Sequence, residues 1–237
     1  LLTDSRSLVY PETSLFFAIK TASGDGHDFI QELYQRGVRN FVVTSLPQNR
    51  ETVYPDANFL QIPSALKALQ RLAERHREQY DIPVIGITGS NGKTMVKEWL
   101  NQLLSPTTKT TRSPRSYNSQ TGVPLSVWLL DETTQLGIFE AGISQPGEME
   151  ALRDIIQPTI GVMVSLGSAH QENFGSMEEK GREKLRLFKD CEILVYCSDD
   201  EITDRCVKLG KISHRLLSWS KIDANAPLFI RNINKKG

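Results

Sequence analysis

The sequence predicts an α/β protein: a small N-terminal α/β unit over residues 1–81, then a mostly parallel sheet with helices on both faces over residues 82–237. Three observations lead there. Short apolar runs alternate with helix-like stretches along the whole chain. After the turn at Asp81–Pro83 those runs become apolar throughout, as in strands buried on both faces of a parallel sheet. The first of them enters a glycine-rich turn and then a helical pattern, the order of a βα unit.

In the first unit, "SLFFAI" (Ser14–Ile19) and "NFVVTS" (Asn40–Ser45) read as strands, with "DFIQELYQRG" between them as a helix ending at Gly37. A further strand, "NFLQIP", leads to an amphipathic helix, "SALKALQRLAERHREQY", for which Ser64 is the expected N-cap. In the second unit the strands are "VIGITG", "QLGIFEAG", "TIGVMVSLG", "EILVYCS" and "HRLLSWS". The helices between them are expected at Lys93–Leu104, Pro124–Leu130, Gly147–Ile156 and Met177–Phe188.

Formal net charge is zero, which gives no basic field for nucleic acid or an anionic membrane. No apolar stretch approaches a membrane span, and Leu1–Leu2 does not open a signal peptide. Cys191, Cys197 and Cys206 are odd in number and lack a C-x-x-C pair, so buried free thiols in a reducing, cytoplasmic setting are expected. The chain does not begin with Met, and "LLTDSR" reads like the interior of a longer sequence.

Ligands of such sheets sit at the carboxyl ends of the strands. The first such end carries Thr88-Gly89-Ser90-Asn91-Gly92-Lys93-Thr94. Its glycines let backbone N–H groups converge on phosphate oxygens, Lys93 can neutralise them, and the Thr94 hydroxyl suits Mg²⁺. The spacing departs from G-x-x-x-x-G-K-[ST], because Ile87 stands where the first glycine belongs. Glu140 follows the strand Leu136–Phe139 and offers a hard oxygen ligand, although such a carboxylate can also cap a helix or pair with a lysine. His170 follows the next strand, where it is either a ligand or a structural residue. Lys180 and Lys184 lie four apart on a helix and, read alone, belong to a solvated charged face. The stretch "TRSPRSYNSQTGVPLSVW" reads as a loop entering a helix near Pro124.

Taken together, these motifs resemble the Mur ligases, ATP-dependent amide-forming enzymes of peptidoglycan synthesis. "ITGSNGKTMVKE" is similar to that family's phosphate loop, "SYNSQTGVPLS" to its Asn-x-x-x-Gly-x-Pro segment, and "EAGISQPGEM" to its Glu-x-Gly strand. "GSAHQENFGS" and "EKLRLF" resemble its His and downstream Lys elements, while "TDSR", "LFFAI" and "DGHDFI" resemble its small UDP-binding domain. The resemblance implies a P-loop-type sheet and assigns Gly89, Ser90, Asn91, Gly92, Lys93 and Thr94 to ATP. It also implies that Thr94, Glu140, His170 and a CO₂-carbamylated Lys184 hold two Mg²⁺ ions, with Lys93, Glu140, His170 and Lys184 catalytic. Asn118 and Ser144 are implied for the muramoyl substrate, and Ser5, Arg6 and His27 for its uridine diphosphate. "CSDDE" (Cys197–Glu201) matches a segment near the nucleotide only loosely.

The branch resembled most joins D-alanyl-D-alanine to UDP-N-acetylmuramoyl-tripeptide through an acyl phosphate, as a monomer and in some bacteria fused to an alanine racemase. Residues 1–81 then correspond to a UDP-muramoyl-binding domain and 82–237 to an incomplete central ATP-binding domain. The family's third domain is missing after "NINKKG", so these residues alone are not expected to turn over. Three alternatives stay open: an amino-acid-adding member of the superfamily, a P-loop NTPase and a nucleotide-sugar binding module. The NTPase reading conflicts with the loop spacing and with a strand ending in Glu140.

Overall fold

The computed structural model describes residues 1–22, 24–167, 171–210 and 215–231. It divides into two compact units, Leu1–Ala73 and Glu74–Gly237. In the first unit β1 (Leu15–Phe17), β4 (Asn40–Val43) and β5 (Asn58–Gln61) form a parallel sheet in the order β1-β4-β5. A short antiparallel ribbon, β2 (Lys20–Thr21) with β3 (Gly24–Asp25), precedes a 3₁₀ turn at Gly26–Phe29 and helix α1 (Ile30–Gln35). Helix α2 (Arg50–Val53) lies between β4 and β5, and α3 (Ala65–Arg77) follows β5.

The core of this unit gathers Leu2, Phe16, Ala18, Ile30, Leu33, Val38, Phe41 and Val43. Helix α1 stops because Gly37 takes a left-handed φ of 98°. That turn lets Gly37 N–H reach the Tyr34 carbonyl and Val38 N–H reach that of Leu33, both at 3.0 Å. Val38 and Leu33 are both fully buried, the apolar contact that accompanies such a stop. Ser64 caps α3 as expected, its hydroxyl accepting from Lys67 N–H at 3.3 Å.

In the second unit β6 (Val84–Thr88), α4 (Lys93–Leu104), β7 (Thr110–Arg112), α5 (Gly122–Val127), β8 (Leu136–Glu140), α6 (Glu148–Ile156) and β9 (Ile160–Met163) follow in turn. Then come α7 (Met177–Leu185), β10 (Ile193–Cys197), α8 (Glu201–Gly210), β11 (Arg215–Ser220) and β12 (Leu228–Phe229). All pairings in this seven-stranded sheet are parallel, in the order β12-β11-β10-β9-β6-β8-β7. β6 therefore sits between β9 and β8, where the strand order reverses. That reversal opens a crevice at the carboxyl ends.

Both faces are covered. On one, Ile85, Ile87, Leu136 and Ile138 pack with Val96, Leu100 and Leu104 of α4. On the other, a 3₁₀ turn at Arg186–Phe188 comes so close that glycine is needed beneath it. A Cβ on Gly161 would lie 2.5 Å from the Phe188 ring, and one on Gly86 2.8 Å from Pro158.

Several expectations shift. The division between units falls inside α3, before the Asp81–Pro83 turn. The cause is Arg77, a buried guanidinium bound to the carbonyls of Ile156 (3.0 Å), Tyr80 (2.5 Å), Gln157 (3.3 Å) and Ile82 (3.5 Å). α5 begins at Gly122 rather than Pro124 and ends at Val127, because the Ser119 hydroxyl accepts from Gly122 N–H at 3.1 Å and sets the first turn. α7 ends at Leu185, and the remainder to Phe188 tightens to 3₁₀. Thr111 and Arg112, expected in a loop, belong to edge strand β7. The thiols are free, yet only Cys191 and Cys206 are buried. Among the described residues no helix is long and apolar enough to cross a membrane.

Candidate functional site

The chain leaves β6 at Thr88 and turns at Gly89, whose φ of 144° few side chains adopt. The loop is pinned to the segment after β9, with Ser90 N–H donating to Ser165 O at 2.7 Å and Ser90 Oγ to Gly167 O at 3.0 Å. Gly92 (φ 84°) then starts α4 with no side-chain cap, so the helix presents uncapped N–H groups and its positive end. A Cβ at Gly89 would stand 2.2 Å from Val164 Cγ2 and 3.0 Å from Ser165 O. Gly89→Ala is accordingly expected to cost about 2–4 kcal/mol of stability through strain and overpacking, read as the shift in denaturant unfolding. An unfolding curve within about 0.5 kcal/mol of the parent would contradict the argument.

Opposite the loop, Glu140 ends β8 fully buried. Its carboxylate accepts from Thr94 Oγ1 (2.9 and 3.2 Å), Lys97 Nζ (3.3 Å) and Asn118 Nδ2 (3.5 Å). Its own N–H donates to the buried Ser113 hydroxyl at 3.3 Å. Asn118 is held from the same side, because Gly142 N–H donates to its carbonyl at 2.7 Å. Thr94, Asn118 and Glu140 thus meet at the ends of two neighbouring strands.

Two amines converge on the loop carbonyls and a third on the segment after β9 that pins the loop. Lys93 Nζ donates to Gly89 O (3.0 Å) and Ser90 O (3.3 Å), Lys184 Nζ to Gly89 O (3.2 Å), and Lys180 Nζ to Gly167 O (2.5 Å). Burial is the main cause that pulls all three below the ordinary lysine range. Lys184 goes furthest, to about 7, with the charges of Lys93 and Lys180 adding to the burial. Lys180 and Lys184 are 1% and 3% exposed, which overturns the solvated-face reading of that helix. A hard-oxygen pair, Thr94 and Glu140, beside stacked amines suits Mg²⁺, which keeps waters and takes phosphate oxygens as further ligands.

Ser144 is exposed, its N–H and hydroxyl both on Glu148 Oε2 at 2.6 and 3.3 Å. His170 lies outside the described residues. In the first unit Ser5 is buried and its carbonyl accepts from Arg36 (2.8 Å). Arg6 is exposed and pairs with Asp4 at 2.7 Å. That bond is the main cause that lowers the Asp4 carboxyl. Both ring nitrogens of His27 are engaged: Nε2 accepts from Thr44 N–H at 3.0 Å, which leaves Nδ1–H to donate to Asp25 at 2.6 Å. His27 thus links the Gly26–Phe29 turn to the end of β4.

Sequence reasoning passed over Lys97, Ser113 and Glu183. Lys97 stands three residues after Thr94 and four after Lys93, on one helical face, a spacing that could have found it. Glu183 from α7 caps α6, accepting from Gly147 N–H at 2.8 Å. The aspartates of "CSDDE" serve the backbone. Asp200 caps α8 through Thr203 (2.9 and 3.2 Å), and Asp199 holds Ser220 and Lys221 N–H (2.8 Å).

Comparison with known proteins gives consistent results. The family model described as "Mur ligase middle domain" matches residues 87–236, and that described as "Mur ligase family, catalytic domain" matches residues 3–77. UDP-N-acetylmuramoyl-tripeptide–D-alanyl-D-alanine ligase of Bacillus subtilis (strain 168) is 30% identical over 207 residues, covering 84% of this chain and 43% of the relative. The crystal structure of MurF from Acinetobacter baumannii superposes with a TM-score of 0.82 at 27% identity, covering 93% of this chain and 48% of that one. MurF ligase from Thermotoga maritima in complex with ADP gives 0.79 at 28% identity, covering 94% and 50%. The chain spans about half the length of the proteins it matches.

Proposed function

Because this chain belongs to the Mur ligase family, we propose that it forms the nucleotide- and muramoyl-binding part of an ATP-dependent ligase of the MurF kind. That ligase joins D-alanyl-D-alanine to UDP-N-acetylmuramoyl-tripeptide. The observation that carries the reading is the Thr94–Glu140 contact at the head of the phosphate loop, beside the amines of Lys93 and Lys184. The relatives' names supply the substrates, and the ADP complex of the Thermotoga protein supports a nucleotide.

The chemistry is transfer of the γ-phosphoryl group to the tripeptide carboxylate, then attack of the dipeptide amine on the acyl carbon as phosphate leaves. The protein's part is placement and charge neutralisation rather than covalent catalysis. Backbone N–H groups of the loop beyond Ser90 and of the start of α4 receive phosphate oxygens, and Lys93 offsets their charge. Thr94 Oγ1 and Glu140 would hold one Mg²⁺, which supplies charge neutralisation when bound. Asn118, tied to Glu140, is assigned to the muramoyl moiety together with Ser144, and Ser5, Arg6 and His27 to the uridine diphosphate.

For Lys184, we take an amine near 7 as a nucleophile at neutral pH. Its neutral nitrogen adds to the carbon of CO₂ and releases a proton, replacing a buried cation by a carbamate anion that can hold a second Mg²⁺. Burial among cations favours that exchange of sign.

The test is phosphate release from ATP by the full-length protein, with each substrate omitted in turn. Release that requires both the UDP-linked tripeptide and D-alanyl-D-alanine is the expected result. Release with a single amino acid in place of the dipeptide would move the assignment to an amino-acid-adding ligase. Release without any muramoyl substrate would overturn the ligase reading in favour of an NTPase.

A further inference from the structure

Lys97 is fully buried one turn into α4, where it cannot touch a ligand. A buried ammonium persists only with several acceptors around it, and these are informative. Lys97 Nζ donates to Glu140 Oε1 (3.3 Å), to Ser113 O (2.8 Å) and to Arg115 O, and pairs with Glu98 Oε1 at 3.2 Å. Glu98 in turn holds Arg112 of β7 at 3.0 Å. Arg115 has a left-handed φ of 47°, a strained conformation for an arginine, at the turn whose carbonyl Lys97 binds. Ser113 closes the circuit from the other side, its hydroxyl accepting from Glu140 N–H.

One ammonium therefore ties the Glu140 carboxylate to the turn that leads into Asn118. We propose that Lys97 is a positioning residue that couples the cation-binding carboxylate to the muramoyl-side loop. The proposal rests on the site being one for Mg²⁺ and nucleotide. By binding Oε1, Lys97 fixes the rotation of the carboxylate and turns Oε2 towards Thr94 (2.9 Å) and Asn118 (3.5 Å). By binding two carbonyls, it holds the 113–115 turn in its strained form. Without Lys97 the two parts lose their common anchor, while the phosphate loop keeps its own contacts through Gly89, Ser90 and Lys93.

Two readouts test this on the full-length protein with Lys97→Met. The first is ADP binding by calorimetry with and without Mg²⁺. Affinity without Mg²⁺ should stay within about twofold, whereas the gain on adding Mg²⁺ should fall at least about tenfold, or 1.4 kcal/mol. The second is tryptic cleavage at Arg115–Ser116, expected to accelerate about tenfold or more while other tryptic sites keep their rates. A parental Mg²⁺ effect or a parental cleavage rate at Arg115 would overturn the proposal, as would cleavage accelerated everywhere.

If Lys97→Met fails to fold because Glu140 is left buried and unpaired, Lys97→Met with Glu140→Gln removes that charge as well. Faster cleavage at Arg115 is still expected in the double variant, and a parental rate there counts against the role. Lys93→Ala and Glu140→Gln serve as controls in the same titration. If both bind Mg²⁺ and ADP like the parent, the reading of the site fails. If they lose binding and Lys97→Met does not, only the coupling role fails.

Discussion

Lys93→Ala is expected to slow ATP-dependent ligation by the full-length protein about a thousandfold, or about 4 kcal/mol of barrier. The amine is drawn back onto its own loop, 3.0 Å from Gly89 O and 3.3 Å from Ser90 O, where uncapped N–H groups of α4 also point. On the proposed function, charge that builds on a transferring phosphoryl group is offset there by a cation already in place. A truncated side chain removes the loop's own cation from that charge. The fold should not suffer. Burial pulls the Lys93 amine below the usual range, so removing it relieves a desolvated cation. The expected pattern is lost turnover with an unchanged or higher melting temperature. A loss below about tenfold in steady-state phosphate release would refute the assigned role.

Lys184→Met is expected to stabilise the fold near neutral pH, by up to about 2–5 kcal/mol. The amine falls to about 7 in the folded chain, against an ordinary value of 10.5, chiefly because it is buried and then because Lys93 and Lys180 face it. Between those two values the unfolded chain binds the extra proton, so parental stability rises with pH across the window. Below about 7 both states are protonated and the full cost of burying the cation remains. The gain from Lys184→Met should therefore be largest at and below pH 7 and fade towards pH 10. Urea unfolding of both chains at about pH 7 and about pH 9.5 checks it, and an equal difference at the two pH values would sink the argument. Bicarbonate should raise the melting temperature of the parent and leave Lys184→Met unmoved if the carbamate forms.

The parallel sheet was legible because β6 and β8 are buried at every position, and β6, β8 and β9 are apolar at nearly all of theirs. Lys93–Leu104 was legible for a similar reason, a glycine entry followed by an apolar stripe at Val96, Leu100 and Leu104. β7 was not. As an edge strand it needs one neighbour only, and its Thr-Thr-Arg run carries no apolar signal. α8 had a readable start at Asp200 that the acidic run concealed. Lys180, Glu183 and Lys184 defeated the pattern more deeply, because the face of α7 that is buried is itself charged. Amphipathic reasoning equates charge with solvent, and a site that gathers cations breaks that equation. Lys97 shares a helical face with Lys93 and Thr94, yet its acceptor comes from a strand over forty positions away, so its burial was not legible.

The place of β6 also bears on how the chain is made. Both of its partners are synthesised after it, β8 at residues 136–140 and β9 at residues 160–163. About 75 residues separate Thr88 from Met163. At ribosomal speeds of about 5–20 residues per second, the apolar run Val84–Thr88 waits about 4–15 s before both of its edges are covered. During that interval at least one edge of a largely apolar strand is open to chaperones and to other nascent chains. A strand that ends up inside the finished sheet, between β9 and β8, is thus open to aggregation while the protein is being born.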